Sequence, residues 1–175
     1  ETGPGVRTPM TQYFALPTVP TVAGHDARLQ FVHEDDGIEA LRLAAMQDRP
    51  GTINIAGDGI LMLSQAIRKA GRLSIPVPPP LVSLAGRGII SAGLADFSPE
   101  QVRFLTYGRG MDTTRMREVL GLEPTYNSRE AFEDFVSARG LNRFMTPERV
   151  AAAEQGLLSV IGGQSESDYR EAGNA

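Results

Sequence analysis

The residues best suited to chemistry form one run, His33-Glu34-Asp35-Asp36, in which an imidazole is followed by three carboxylates. An imidazole beside a carboxylate can serve as a general base, and clustered carboxylates can hold a divalent ion. Plainer roles need fewer assumptions. Short carboxylates at a helix start accept from the unpaired amides of the first turn, so Asp35 or Asp36 is expected to cap a helix beginning here. His33 is expected to be structural, bonded to backbone or to Asp36, because no reacting partner is visible beside it. His25, in a Gly-His-Asp turn, is expected to be solvated. Two histidines eight residues apart with scattered carboxylates fit no ligand spacing, so no metal is expected. Gly57-Asp58-Gly59 has the glycines of a phosphate cradle, but the acid between them opposes an anion, and a tight turn is the expectation. There is no cysteine, which removes disulfides and thiolate chemistry and leaves the redox compartment open.

The elements that must position these groups follow from periodicity. Leu29, Phe31 and His33 alternate with Gln30 and Val32, which predicts a strand closed by the polar run. Ile38, Leu41 and Ala45 then share one helical stripe, predicted to face the core. Gly51 is predicted to end that helix. Thr52 to Ile55 reads as a second strand, turned by Gly57 and Gly59 into a second helix. Arg28 to Gln65 therefore predicts a βαβα core.

Downstream the chain turns helical. Ser74 to Pro80 contains four prolines, which remove donors and fix φ, so it is expected to be an edge segment running into a bend. Leu81 to Leu94, apolar and punctuated by glycine, predicts a buried helix with close neighbours. Ser98-Pro99-Glu100-Gln101 starts a helix that continues to about Tyr107. Others are predicted from Thr113 to Leu120, ended by Gly121, and from Ser128 to Arg139, ended by Gly140. Thr146-Pro147-Glu148 starts a last helix, giving a C-terminal helical segment over 141–161, and 162–175 has the composition of a disordered tail.

Three stretches, in order and spanning most of residues 3 to 136, resemble the C-terminal half of the extended short-chain dehydrogenase/reductase family, the NAD-dependent epimerases and dehydratases of nucleotide sugars. "FVHEDD" resembles that family's strand-to-helix signature. "GTINIAGDGILMLSQ" is similar to its following strand and helix, and "DTTRMREVLGLEPTYNSREAFEDFV" to its closing element. "DARLQ", "DGILMLSQAIR" and "DTTRMR" resemble actinobacterial UDP-glucose 4-epimerase homologues. The resemblance implies an α/β fold: the C-terminal, substrate-binding portion of an extended Rossmann-type protein, with the βαβα core followed by several helices. Residues 1–140 would form that substrate-binding part.

Two family features are missing. The reaction needs a Tyr-x-x-x-Lys pair, whose tyrosinate takes the proton while the lysine steadies it. Lys69 is the sole lysine, and Gln65 stands four residues before it. The glycine turn that sets a helix N-terminus against a pyrophosphate is absent too, since no glycine cluster has its spacing. Thr2 to Thr8 resembles the loop after the sixth strand of the cofactor domain. The chain thus reads as a fragment starting where the Rossmann half stops, with NAD bound by the missing N-terminal half and not by this chain alone.

By the same resemblance, a substrate cleft would be lined by Gly3 with the loop to Thr8, by Met10 and by Arg28, with Arg103 or Arg109 opposite. The family's diphosphate-binding arginine falls at Leu29, and Arg28 lies one residue earlier, on the other face of a strand. A surface salt bridge is the plainer fate of Arg103 or Arg109. The implied substrate is a UDP-sugar. The alternatives are a non-catalytic binding or scaffold module of this fold and a dehydrogenase or reductase acting on a non-nucleotide substrate.

Composition constrains the rest. With 175 residues and 41% hydrophobic content, one domain burying roughly 70% of its unfolded surface is expected. A net charge of −4 and a pI near 5.2 give no reason to expect nucleic acid. No apolar run reaches the roughly 18 residues of a membrane span, and the expected location is cytoplasmic. A piece of a doubly wound sheet would expose strand edges and apolar faces, which invites association and leaves a homodimer of the intact protein open.

Overall fold

The computed structural model describes residues 8–82, 99–142, 145, 149, 150 and 152. Gly3, the stretch from residue 83 to 98, nearly all of the expected C-terminal helix and the tail lie outside them. Among the described residues the architecture is mixed α/β, and no helix is long and apolar enough to cross a membrane.

Helix α1 (Pro9–Ala15) opens with a reciprocal cap between Thr8 and Thr11 and with proline in its first turn. It buries Tyr13 and Phe14, and the Tyr13 hydroxyl donates to the carbonyl of Pro20 at 2.8 Å. Burial alone pushes that hydroxyl's pKa well above its ordinary value. Strand β1 (Thr18–Val22) follows, then β2 (Arg28–Leu29), α2 (Glu34–Met46), β3 (Leu61–Met62), α3 (Leu63–Lys69) and β4 (Leu73–Val77). Three helices complete the order: α4 (Pro99–Tyr107), α5 (Thr114–Glu118) and α6 (Ser128–Arg139).

Strands β1 and β4 pair in parallel, with Thr18 opposite Leu73 and Val22 opposite Val77. The proline-rich stretch is thus a strand, paired on one side among the described residues, as an edge carrying Pro76 must be. Strands β2 and β3 form a two-residue antiparallel ribbon, Arg28 opposite Met62 and Leu29 opposite Leu61. The main core joins Tyr13, Phe14, Val19, Leu29, Phe31, Leu61, Ile67, Phe132 and Phe135. Phe132 is its hinge, edge-on to Phe14 at 4.9 Å and tilted on Phe31 at 5.1 Å. Each such buried side chain contributes about 1.5–3 kcal/mol. A second cluster gathers Ala40, Met116, Leu120 and Leu122, with Leu43, Ile53 and Ile55 against it.

Four expectations are corrected. Among the described residues the strand expected to run to His33 forms a ladder only at Arg28–Leu29, with a single bridge position at His33, and Phe31 sends its amide to a serine hydroxyl and its carbonyl to a glycine amide. The alternation survives as burial: Leu29, Phe31 and His33 are inside. Thr52 to Ile55 is extended but pairs with no strand among the described residues, so the βαβα rhythm is reduced there to one short ribbon and its helices. The stripe Ile38, Leu41, Ala45 faces outward, with Ile38 62% and Leu41 71% exposed. Asp36 and Ala40 face inward instead, because backbone amides of another segment bind Asp36 and fix the rotation of α2. Finally, α2 ends at Met46 rather than at Gly51. Pro50 disfavours helical backbone at Arg49, and Gln47 already leaves in extended geometry.

Candidate functional site

The site grows from a closed set of hydrogen bonds. The Phe31 amide donates to Ser128 Oγ at 3.2 Å, that hydroxyl donates to the Gly57 carbonyl at 3.1 Å, and the Gly57 amide donates to the Phe31 carbonyl at 2.7 Å. Ser128 is 1% exposed, and its own amide donates to the Asp58 carbonyl at 2.7 Å. No side chain fits at Gly57, where a Cβ would lie 2.6 Å from the Tyr126 carbonyl oxygen. The three stretches that carry the family resemblance therefore meet at one buried point. Gln30 extends it: its amide donates to the Gly57 carbonyl at 2.9 Å and its oxygen accepts from the Met111 amide at 2.8 Å.

His33 and Asp36 tie the same segments from the other side. His33, not a carboxylate, caps α2: its Nδ1 accepts from the Asp35 amide at 3.2 Å. Nε2 then faces Asp134 Oδ2 at 3.3 Å, in keeping with a proton on Nε2. Asp36, 3% exposed, accepts from the amides of Thr125 at 2.8 Å and Tyr126 at 3.2 Å. Of the two partners expected for His33 the structure shows the backbone, through the Asp35 amide, and not Asp36; His33 and Asp36 each grip the chain around α6 as well. The bonds that both side chains make among the described residues tie the chain to itself.

Arg117 holds the glycine turn. It donates to Asp58 at 2.6 Å, to Glu123 at 2.9 Å and to the Thr113 hydroxyl at 2.9 Å, and the first two contacts hold its pKa above the ordinary range. Asp112 beside it accepts from the Thr114 hydroxyl and amide, which lowers its carboxyl pKa. Gly57-Asp58-Gly59 is thus a turn committed to its own chain. Lys69 is committed too, bonded to Glu133. These residues do not fit a dinucleotide: Asp58 stands between the two glycines of the turn and is held by Arg117, and no tyrosine stands one helical turn before the lysine.

The candidate arginines stand outside this network. Arg28 is the centre of three backbones, paired with Met62 in β3 and bridged in parallel to Gly108. Gly108 has φ +73°, and a Cβ there would lie 2.1 Å from the Arg28 carbonyl oxygen, so only glycine allows the approach. The next amide, Arg109, donates to that oxygen at 2.8 Å. Arg28 and Arg109 leave this junction as exposed side chains. Arg103, also exposed, lies one helical turn before Tyr107, which meets His25 edge-on at 5.7 Å. Arg28, Arg103 and Arg109 make no side-chain hydrogen bond or ion pair among the described residues, so the expected salt bridges are absent. Ile60 and Met111, 46% and 39% exposed, supply apolar neighbours, with Ile60 Cδ1 3.7 Å from the position a Cβ on Gly110 would take.

The structure therefore joins Arg28 to Arg109 and leaves Arg103 on α4. Met10 is half-buried and packs on the main core, and Gly3 lies outside the described residues. Sequence reasoning missed Gln30, Arg117, Tyr126 and the hydroxyl of Ser128. Only the spacing of Thr113 and Arg117, four apart on a helix, carried any signal.

The chain is similar to proteins of two mycobacteria. It is 47% identical over 159 residues to uncharacterized proteins of Mycobacterium tuberculosis and Mycobacterium bovis, a match covering 87% of this chain and 40% of theirs. A second uncharacterized Mycobacterium tuberculosis protein is 30% identical over 148 residues, 79% of this chain and 16% of that one. The chain thus spans about 40% of the length of the curated relatives it matches first. No family model matches it, and no solved structure does either.

Proposed function

We propose that this chain is the substrate-binding part of an NAD-dependent epimerase or dehydratase of nucleotide sugars, with Arg28 and Arg109 receiving the diphosphate of a UDP-sugar. The observation that carries the reading is the shared backbone junction of the two arginines at Gly108, with both side chains exposed and neither in a hydrogen bond or ion pair among the described residues. A planar guanidinium fork matches phosphate oxygens two at a time. The buried meeting of the three resembling stretches at Phe31, Gly57 and Ser128 supports it as well. On this reading the intact protein oxidises a sugar hydroxyl with NAD and returns the hydride after epimerisation or elimination. NAD and the general base belong to residues outside this chain, whose own side chains bind and orient the substrate.

Leu29 favours a second reading. It is fully buried at the position where the family carries its diphosphate arginine, which suits a dehydrogenase or reductase of the same fold acting on a non-nucleotide substrate.

The test is UDP affinity of the protein containing this chain together with its proposed cofactor half, for wild type, Arg28→Ala and Arg28→Lys. Each charge-assisted hydrogen bond is worth about 1.5–3 kcal/mol, so either substitution should weaken binding about tenfold or more. Lysine should fail nearly as badly as alanine, because a point charge cannot reproduce the fork. Equal affinity for all three proteins overturns the nucleotide-sugar assignment.

A further inference from the structure

Residues 52–56 are extended and alternate: Thr52 and Asn54 are exposed, while Ile53 and Ile55 pack on the second cluster and Ala56 is fully buried. Yet among the described residues none of their backbone amides or carbonyls takes part in a hydrogen bond; only the Asn54 side chain is engaged, with the Asp112 carbonyl at 3.1 Å. Unpaired backbone at a part-buried site is costly, and a row of it is a template for another strand. Beside it lies a groove of about 450 Å³ whose walls include Val32, Ala40, Leu41, Ile53, Ile55 and Leu120. The outward face of α2 continues the apolar surface, with Ile38 62%, Leu41 71% and Met46 73% exposed.

We infer that residues 52–56 are an internal strand of a larger sheet, and that the groove seats the apolar side chains of a neighbouring strand supplied by the part of the longer protein that this chain does not span. The matched region is only 40% of the Mycobacterium tuberculosis relative, so more than half of such a protein is available to supply it. A second copy fits poorly: a twofold contact would set two concave grooves face to face and fill neither. An extended strand meets both needs at once, hydrogen bonds for the backbone and side chains for the groove. The inference rests on the part of the proposed function that places a further portion of the protein outside this chain, and not on its chemistry.

Amide hydrogen exchange decides it, measured without nucleotide on this chain and on the full-length Mycobacterium tuberculosis relative. In this chain the amides of residues 52–56 should exchange at close to unprotected rates; at the matching positions of the relative they should be slowed on the order of 100-fold. Lack of protection in the relative overturns the inference. So does protection already present in this chain: independent of concentration, it means pairing within the chain; rising with concentration, it means a second copy. Because no nucleotide is used, each of these outcomes leaves the assignment of Arg28 and Arg109 to a UDP-sugar untouched.

Discussion

The imidazole of His33 lies flat on the ring of Tyr126, centroids 3.8 Å apart and planes 22° from parallel. The stack joins the start of α2 to the loop that leads into α6, and Asp36 reinforces it by accepting from two amides of that loop. A run of acidic residues that invites a catalytic or metal-binding reading is, in three dimensions, a clasp.

Replacing Asp36 with alanine leaves the amides of Thr125 and Tyr126 without acceptors in a buried setting. Hydrogen bonds to charged groups contribute about 1.5–3 kcal/mol each, so the loss should be about 2–4 kcal/mol, with Asp36→Asn intermediate. Urea denaturation reads it directly. An unchanged midpoint for Asp36→Ala would show that the loop is held by other contacts.

Gly108→Ala should be more damaging than alanine at Gly121. Both glycines have positive φ, +73° and +65°, but a Cβ at Gly108 meets Arg28 backbone at 2.1 Å whereas nothing lies within 4 Å at Gly121. The left-handed backbone alone costs about 1–2 kcal/mol, which both variants share. The excess at Gly108 reports the steric contact with Arg28. Thermal denaturation of the pair measures it, and equal destabilisation would mean that Arg28 and Gly108 separate freely.

Elements with strong local signals were legible in the sequence. Ser128–Arg139 forms as its pattern predicts, with Asn127 supplying the cap and Gly140 the stop, and Pro99–Tyr107 begins at its proline. What local pattern could not supply was rotation and pairing. The inward face of α2 is decided by amides some ninety residues away that claim Asp36. Strand pairing is non-local in the same way: β1 finds β4 across fifty residues, and residues 52–56 look like a strand but have no ladder among the described residues. The arginine pair was half visible, since Arg28 and Arg109 were both candidates. Their junction depends on the positive φ of Gly108, which the residue type permits but does not announce.

The lowered pKa of Asp112 gives a pH dependence with a definite sign. Its ordinary value is 3.8, and the Thr114 hydroxyl and then the Thr114 amide pull it down. A carboxyl more acidic when folded adds stability above the unfolded pKa, and that contribution is lost as pH falls through the folded value. Thr114→Val removes the hydroxyl, so the Asp112 carboxyl should titrate at higher pH while part of the shift survives through the amide. Carboxyl-carbon NMR titration follows it. A midpoint unmoved by the substitution would assign the shift to the backbone alone.

This chain alone should not bind NAD. A dinucleotide needs outward-facing amides at a glycine turn and a helix N-terminus behind them. The turn at Gly57 and Gly59 carries Asp58, held by Arg117 at 2.6 Å, and its Asp58 carbonyl is taken by the Ser128 amide. Rebuilding it for a pyrophosphate would break both contacts and place a carboxylate against two phosphates. The sole lysine is paired with Glu133 and follows Gln65, so it has no tyrosine to assist and no free charge to offer a ribose. Isothermal titration of NAD into the chain should therefore show no saturable heat at micromolar concentrations, whereas a protein that includes the proposed cofactor half should bind. Saturable binding to the chain by itself would place the cofactor site within these residues and overturn the proposed division of labour.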